Sequence, residues 1–382
     1  MFYEIQPQEQ RENYKKMLTI MGNLTKLFSE NKSPYLAYRA HENIFCKYFE
    51  AENLARLDCS ADAKKNQIGV GLKTWTGQDD QKIAEFGKLR ETFEELKGKS
   101  LVKKIAEYRN ERIRVTKNLL GIDNMIYHVV KRVPGAMQIL ECALDPIDIA
   151  NISVIPKRGN VNNTYFTDGK HTYHFSKSKN TLYMIFDNME VLDNFSVEIM
   201  DDPYSYLMGL MPDTGTDGFA EQIISPETPE TKENRICLRL YSVKADGTKF
   251  IAEKSGLNQW NAAGRKRNPD EVYIPYPAKD RERTEGFFPD RLTDFTLRLP
   301  DGKTIQAKIC QQDNKAIMSN PNKDLGNWLL RNVFELPEDT LVTYEMLQRF
   351  GIDSVIFTKN GDRDYSVDFA EIGTYEQFYG IE

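Results

Sequence analysis

The 382-residue sequence lacks the features that mark membrane and exported proteins. It has no run of about 18 apolar residues, so we expect no membrane-spanning helix and no membrane partner. Its first residues, MFYEIQPQEQRENYKKM, are polar and mixed in charge. A signal peptide instead places basic residues before an apolar stretch. We therefore expect a cytoplasmic protein.

Cysteine is scarce, and the five cysteines form no CxxC pair. An odd number without such spacing argues against a disulfide framework and against a zinc ribbon. We interpret these residues as buried free thiols in a reducing compartment.

The chain also lacks an excess of basic charge, since its formal net charge is −6. That balance excludes a general nucleic-acid coat, which would be basic throughout. It does not exclude a nuclease, because nucleases use carboxylates to hold metal and confine positive charge to one cleft. Hydrophobic residues make up 40% of the chain, enough for well-packed cores. The length suits two domains.

Periodicity and composition predict a mixed α+β protein with two domains. The patterns predict helices over 8–30 and 36–52, a strand over 67–75 and further helices within 79–120. Strand-like segments follow, with a hairpin turn at 167–170. The N-terminal domain, 1–210, is thus expected to have an α/β core. The stretch 211–234 is rich in Pro, Gly, Thr and acids, which is typical of a linker.

The C-terminal domain, 235–382, is predicted to be rich in strands, with a hairpin turn at 300–302 and one helix at 323–333. Two polar segments of this domain carry side chains suited to DNA. Arginine can bind guanine through two hydrogen bonds, Asn and Gln can bind adenine, and Lys mainly contacts phosphate. The first segment offers Asn258, Gln259, Trp260, Asn261, Arg265, Lys266, Arg267 and Asn268. The second offers Gln311, Gln312, Asp313, Lys315, Ser319, Asn320, Asn322 and Lys323. Ordinary polar surface has a similar composition, so the pattern alone leaves both interpretations open.

From about Arg235 to Glu382, the order of features resembles the effector, or target-recognition, domain of EcoRII-, BfiI- and NgoFVII-type restriction enzymes. The matching segments are SGLNQWNAAGRKRNPDEVYIPYP, FFPDRLTDFTLRLPDGKTIQAKICQQDNKAIMSNPNKDLGNWLLRNV and TYEMLQRFGIDSVIFTK. The resemblance implies a seven-stranded open pseudobarrel, related to that of plant B-three transcription factors. It also implies that two arms, here 258–268 and 311–324, enter the major groove of double-stranded DNA.

Some BfiI- and NgoFVII-type enzymes cut DNA with a phospholipase-D-like module, which needs an HxK motif. The four histidines of this chain begin the sequences HEN, HVV, HTY and HFS, so we exclude that chemistry.

The stretch 41–85 instead resembles the motif of PD-(D/E)xK nucleases. In that motif carboxylates hold divalent metal, here Mg2+, and a lysine lies near the scissile phosphate. Glu42 falls on a predicted helix, Asp62 lies at a strand edge, and Lys73 ends the next strand. These three residues are therefore candidates for the catalytic site, with Glu42 and Asp62 as metal ligands.

One position departs from this motif, because Gly71 stands where an acid is expected. In some restriction enzymes of the superfamily that this motif resembles, the acid lies on the helix that follows the lysine. Glu85 follows Lys73 by 12 residues, on a predicted helix, and this resemblance implies that it supplies the missing metal ligand. Asp58 is an alternative to Asp62. Glu42 and Glu85 are equally compatible with solvated helix surfaces.

Together these patterns predict a type II restriction endonuclease that uses Mg2+ to hydrolyse double-stranded DNA at or near a short specific sequence. Two alternatives remain open: a non-catalytic, sequence-specific DNA-binding regulator, and an endonuclease that requires modified DNA. A double-strand break usually needs two active sites, so a homodimer is a reasonable expectation. A restriction enzyme also implies a cognate DNA methyltransferase as its genetic partner.

Overall fold

The computed structural model describes residues 1–54, 60–77, 80–160, 162–186, 189–210 and 234–381. These residues form two compact units, the first within 1–110 and 122–210 and the second within 111–121 and 234–381. The predicted linker lies outside the described residues, except for Asn234. Across the described part of the chain, no helix has the length and apolar character needed to cross a membrane.

In the first unit, α1 (Gln8–Asn23) and α2 (Tyr38–Phe49) precede a mixed sheet. In spatial order its described strands are β1 (Glu52–Asn53), β2 (Ala63–Lys65), β3 (Ile68–Trp75), β5 (Asn124–Val133), β6 (Ala136–Ala143) and β11 (Val191–Ser196). Strand β3 is antiparallel to β2 and parallel to β5. The chain passes from β3 to β5 through α3 (Gly98–Leu120), as a connection between parallel strands requires.

Helices α1 and α2 bury their apolar sides against one face of this sheet. Tyr14 and Leu18 of α1 and Phe45 of α2 are fully buried with Val70 of β3 and Val130 of β5. This packing stabilises two helices whose apolar residues recur at helical spacing. Because α2 crosses this face, its polar residues are brought near the strands of the sheet.

Helix α1 ends earlier than the predicted 8–30. A short 3-10 turn, Thr25–Leu27, follows it. The Thr25 hydroxyl donates to Gly22 O (2.5 Å) and accepts from Tyr35 N (2.8 Å). These local hydrogen bonds offer the backbone an alternative to continuing the helix.

The second sheet of this unit contains β4 (Gln81–Glu85), β10 (Thr181–Ile185), β9 (Thr172–Ser176), β8 (Asn163–Thr167) and β7 (Ser153–Asn160). All its described neighbours are antiparallel, and the predicted turn at 167–170 joins β8 to β9. A short helix, α4 (Pro203–Gly209), follows β11.

The helix prediction is wrong at 81–85, where the chain forms β4. Its residues are good helix formers, but their backbone pairs with β10, and Phe86 directly after them is fully buried. Tertiary pairing has overridden local propensity here. The later part of the predicted helical region is helical, as α3.

In the second unit, seven described strands form one sheet. Their order is β12 (Arg235–Arg239), β19 (Ile352–Lys359), β20 (Asp364–Glu371), β16 (Asp294–Arg298), β17 (Thr304–Cys310), β18 (Ala316–Ser319) and β15 (Ile274–Pro275). The two end strands, β12 and β15, lie close to each other, so the sheet nearly closes. This arrangement fits the predicted pseudobarrel.

Shorter elements complete the second unit. The hairpin of β13 (Ser242–Val243) and β14 (Lys249–Phe250) follows β12. The predicted turn at 300–302 joins β16 to β17, with Gly302 at a φ of 85°. The helices are α5 (Ala278–Arg283), α6 (Asp324–Gly326), which continues as a π-helix over Asn327–Val333, α7 (Tyr344–Phe350) and α8 (Thr374–Tyr379).

Candidate functional site

Asp62 lies immediately before β2, where the hairpin of β2 and β3 opens. Its backbone N donates to Val70 O (2.8 Å), and its carbonyl accepts from Leu54 N (3.0 Å). Its carboxylate Oδ2 accepts a hydrogen bond from Leu72 N (2.7 Å). Main chain and side chain are therefore both fixed against β3, which gives the carboxylate a defined position.

Lys73 of β3 lies beside this carboxylate. The distance from Lys73 Nζ to Asp62 Oδ2 is 3.9 Å, and the two side chains are 22% and 32% exposed. The structure thus brings together the two residues that the motif predicted as a pair. Both side chains are partly exposed, so solvent can reach them.

Glu42 of α2 is the third charged member of this group. Its side chain is 9% exposed, and Arg39 Nη1 lies 2.8 Å from its Oε2. Burial raises the pKa of Glu42, and the nearby Asp62 carboxylate raises it further. The positive charges of Arg39 and Lys73 act in the opposite direction. Glu42 therefore interacts electrostatically with Asp62 and Lys73, and the catalytic roles of the three residues stay a prediction.

Gly71, at the departure from the motif, lies across from Asp62, one residue beyond the last register pair of β2 and β3. A Cβ atom there would come within 2.9 Å of the Tyr127 ring. That ring is held in place, because its hydroxyl accepts from Arg109 Nη2 (2.8 Å). An acid at position 71 is thus excluded unless the tyrosine moves.

Glu85 was predicted to lie on a helix, but it does not. It is exposed on β4 of the second sheet, and its Oε2 is 2.5 Å from Lys82 Nζ. The charges of Asp62, Arg39 and Lys73 all influence the pKa of the Glu42 carboxyl. The role of Glu85 as the replacement ligand stays a prediction. The alternative residue Asp58 lies outside the described residues.

The donors at this site suit Mg2+. In the part of the chain that the structure describes, no three His, Cys, Asp or Glu side chains are grouped closely enough to hold a metal. Glu42 and Asp62 offer two carboxylates. Mg2+ is usually bound by one or two carboxylates and keeps several waters, whereas Zn2+ prefers His and Cys. Carboxylates are thus donors of the kind that Mg2+ prefers, and the binding of Mg2+ stays a prediction.

Sequence reasoning left His41 and His128 without a role, and the structure places both in a buried hydrogen-bonded chain. Tyr14 Oη lies 2.8 Å from His41 Nε2 and 3.0 Å from His128 Nε2. His128 Nδ1 is 2.8 Å from Glu141 Oε1, which also accepts from Tyr3 N (3.0 Å).

These hydrogen bonds connect α2 to the sheet. His41 immediately precedes Glu42 on α2, while His128 and Glu141 belong to β5 and β6. Burial, together with the charges of His128 and Lys73, holds the pKa of His41 well below its usual value. A neutral His41 costs less to bury than a charged one. The sequence signal that could have indicated this role was the position of the two histidines on the buried faces of a predicted helix and a predicted strand.

In the second unit, the first predicted DNA-binding segment begins in a 3-10 helix, Gly256–Asn261. Asn258 is 1% exposed. Its amide donates to Ala252 O (3.2 Å) and Val342 O (3.0 Å) and accepts from Val342 N (2.9 Å). This side chain is therefore used inside the domain, and the structure gives no support to the prediction that Asn258 contacts DNA. Gln259, Trp260 and Arg267 are partly exposed, and Asn261, Arg265, Lys266 and Asn268 are exposed.

Glu271 was absent from the prediction, yet it joins the two polar segments. It is 1% exposed. Its Oε1 accepts from Arg265 Nη2 (2.5 Å) and lies 3.4 Å from Arg267 Nε. Its Oε2 accepts from Asn322 Nδ2 (2.9 Å). One buried carboxylate therefore connects the first segment to the second.

The second predicted segment, 311–324, is not a single arm. Its middle forms the fully buried strand β18, which separates loop 311–315 from loop 320–324. Ser319, on this strand, is 1% exposed, and its hydroxyl accepts from Leu325 N (2.9 Å). The structure therefore gives no support to the prediction that Ser319 contacts DNA.

The two loops differ in backbone conformation and in hydrogen-bond partners. In loop 311–315, Gln311, Asp313 and Asn314 have φ values of 67°, 59° and 55°. Such left-handed conformations in side-chain-bearing residues are uncommon and often mark functional sites. In loop 320–324, Asn320 Nδ2 donates to Asp294 Oδ2 (3.1 Å). The exposed members of the two loops include Gln312, Asp313, Lys315, Asn322 and Lys323.

Residues 233–360 match the family model of the NgoFVII C-terminal B3-like DNA-binding domain. This finding confirms the resemblance inferred from the C-terminal sequence. The matched part, hereafter the B3-like domain, includes both polar segments and Glu271. It covers a minority of the chain and none of residues 1–210. No curated protein matches the chain.

Proposed function

We propose that this protein is a restriction-type endonuclease that binds a short sequence of double-stranded DNA and hydrolyses a phosphodiester bond with Mg2+. The observation that carries the proposal is the paired Asp62 and Lys73, in a chain that also has a B3-like domain.

The B3-like domain supports the binding half. It is similar to a DNA-binding domain of a restriction enzyme, and its polar segments expose Arg265, Lys266, Lys315 and Lys323. Exposed basic and amide side chains on loops are suited to phosphates and base edges. The overall negative charge does not conflict with this role, because the positive groups are concentrated locally.

The order of elements supports the cutting half. An acid lies on a helix, an aspartate precedes a strand, and a lysine lies on the next antiparallel strand. This is the order in which a PD-(D/E)xK site is assembled. The departure at Gly71 leaves Glu42 and Asp62 as the carboxylate pair, which is sufficient for one Mg2+ ion that retains waters.

The residues then divide the chemistry as follows. Glu42 and Asp62 would hold the metal, which would supply a lowered pKa of bound water and neutralisation of charge on the phosphoryl group. Lys73 binds a phosphate oxygen and stabilises the negative charge that grows there in the transition state. Asp62 keeps the ammonium of Lys73 in place. Arg39 restrains Glu42 from the outer side of α2.

A non-catalytic DNA-binding regulator is the second candidate, and the Gly71–Tyr127 contact is the observation that favours it. A site that has lost one acid of its motif and filled the space with a tyrosine can bind DNA without cutting it. The two candidates differ only in hydrolysis, so they can be separated directly.

The test is incubation of supercoiled plasmid with the purified full chain, in Mg2+ and in EDTA. Methylated, hydroxymethylated and unmodified plasmids are compared. Mg2+-dependent linear or nicked product on any of these supports the endonuclease and shows whether modification is required or blocks cutting. Tight binding with no cleavage of any plasmid favours the regulator.

A further inference from the structure

Arg265 and Arg267 share the carboxylate of Glu271, but their surroundings differ. Arg265 Nη2 is 2.5 Å from Glu271 Oε1, and its side chain is 55% exposed. Arg267 Nε is 3.4 Å from the same oxygen, and its side chain is 13% exposed. Arg265 therefore occupies an outer position beside Glu271, and Arg267 occupies an inner one.

The inner arginine is built into the loop. Arg267 Nη1 donates to the carbonyl oxygens of Ala262 (2.5 Å) and Ala263 (3.1 Å), which lie in the same segment. Together with Glu271 these contacts close the loop upon itself. Arg267 is costly to remove, because the carbonyl oxygens of Ala262 and Ala263 would lose this hydrogen-bond donor.

The outer arginine makes fewer fixed contacts. Besides Glu271, its described hydrogen bond is from Nη1 to Lys266 O at 3.4 Å. The Arg265 guanidinium is half exposed although Glu271 is buried, so water can solvate this arginine when it leaves the carboxylate. Exchange of the Glu271 carboxylate for another acceptor therefore costs Arg265 little.

The charges also permit this exchange. One carboxylate faces two guanidinium groups, so Glu271 keeps a cationic partner in Arg267 when Arg265 leaves. Asn322 continues to donate to Oε2 of the same carboxylate. The buried acid is thus never left without a partner, and the connection between the two segments is preserved.

We propose that Arg265 is the DNA-contacting arginine of this cluster and transfers from Glu271 to double-stranded DNA, while Arg267 and Glu271 remain as positioning residues. The recipient is a guanidinium acceptor, either a phosphate oxygen or the O6 and N7 atoms of guanine. This inference depends on DNA binding as proposed above but not on cleavage. It assigns different roles to three residues within one short stretch.

The stretch around Glu271 is well placed to act as a rigid base. Arg331 Nε donates to Asp270 Oδ1 (2.7 Å), and its Nη2 donates to Pro269 O (3.0 Å). The backbone at Gly326 passes so close to Asp270 that a Cβ atom would lie 1.9 Å from Asp270 O. A preorganised base reduces the ordering cost of binding.

The experiment uses the full chain in Ca2+ or EDTA, so that binding is measured without cleavage. A duplex pool with a randomised central block is enriched on the wild-type protein. Affinity is then measured for the enriched duplex and for a scrambled duplex, over a range of salt concentrations. The variants are Arg265→Ala, Arg265→Lys, Arg267→Ala and Glu271→Gln, with Glu345→Gln on α7 as a matched, exposed charge control.

Arg265→Ala is expected to weaken binding to the enriched duplex by roughly 10- to 100-fold, with an unchanged melting temperature. Arg265→Lys separates the two acceptors, because lysine can replace arginine at a phosphate but not in paired hydrogen bonds to guanine. Arg267→Ala is expected to lower the melting temperature. Glu271→Gln removes a negative charge beside the two arginines, so it should steepen the salt dependence of binding and reduce the specificity ratio.

The inference is overturned if Arg265→Ala binds the enriched duplex as tightly as wild type. It is also overturned if Arg265→Ala destabilises the protein as much as Arg267→Ala, because Arg265 would then be a structural residue. If the wild type enriches no duplex, DNA binding itself is wrong and the inference fails with it. Wild-type binding therefore distinguishes the two failures.

Discussion

Lys73 Nζ lies 3.9 Å from Asp62 Oδ2, at the point where the pairing of β2 with β3 ends. This distance exceeds that of a normal hydrogen bond, so the two charges attract each other without a fixed bond. The ammonium group is held near the carboxylate and remains able to bind a phosphate oxygen. Such a relationship is what a metal-dependent nuclease needs from these two residues.

Glu42→Gln is expected to reduce cleavage at least tenfold at low Mg2+, with partial recovery at high Mg2+, because one of two carboxylate ligands is lost. Glu85→Gln, the same change on β4, should leave the Mg2+ dependence unaltered. Cleavage rates across a Mg2+ titration measure both. If Glu85→Gln shows the larger effect, the ligand assignment to Glu42 is incorrect.

Gly71→Asp restores the acid of the nuclease motif, but we expect no gain in activity. Its Cβ atom would lie 2.9 Å from the Tyr127 ring, so the strand or ring must shift. Overpacking of this kind costs about 1–3 kcal/mol. Chemical denaturation measures the loss, and a stable, more active variant would show that the tyrosine does not close the site.

Asp193→Asn is expected to make stability depend less on pH in the acidic range. Burial opposes ionisation of Asp193, but hydrogen bonds from Tyr3 Oη (2.6 Å) and Lys15 outweigh it and lower its pKa. A lowered pKa in the folded state stabilises the protein above the ordinary value of about 4. That contribution is lost as pH falls through the folded pKa.

The variant should therefore be less stable than wild type by about 1–2 kcal/mol at neutral pH. The difference should shrink when both are unfolded near pH 3. Urea denaturation at several pH values measures it. A difference that is constant with pH would mean that ionisation of Asp193 does not contribute.

Gly326→Ala is expected to destabilise the B3-like domain, because its Cβ atom would lie 1.9 Å from Asp270 O, a backbone atom that cannot rotate away. We expect a loss of about 3 kcal/mol or more. Gly209→Ala, at a helical glycine with open space around it, is the matched control. Thermal melts of both variants compare them, and equal melting temperatures would contradict the close packing described here.

The sequence could predict the Asp62–Lys73 pair because strand pairing is a local matter. Residues on two short segments joined by a tight connection come together once those segments form a hairpin. The turns at 167–170 and 300–302 were predictable for the same reason. The pseudobarrel could be expected only through a long resemblance, since its parallel pairing of β16 with β20 joins distant segments.

Other features of the site could not be predicted from the sequence, for several reasons. Residue type does not reveal whether a polar side chain bonds inward or outward, so Asn258 and Ser319 were grouped with exposed neighbours. Glu85 was assigned from its spacing after Lys73 on a predicted helix, and the chain forms β4 there instead. Glu271 was overlooked because an acid in a DNA-binding segment has no evident purpose until Arg265 and Arg267 are seen around it.

The central claim is that this chain binds DNA and cuts it with Asp62 and Lys73. The most direct test measures binding and cleavage of one enriched duplex by wild type, Asp62→Asn and Lys73→Met, with Lys99→Met as an exposed control. We predict Mg2+-dependent cleavage by wild type and the control, and a loss of about 100-fold or more in both site variants, with binding retained. Cleavage at the wild-type rate by either site variant would contradict the account.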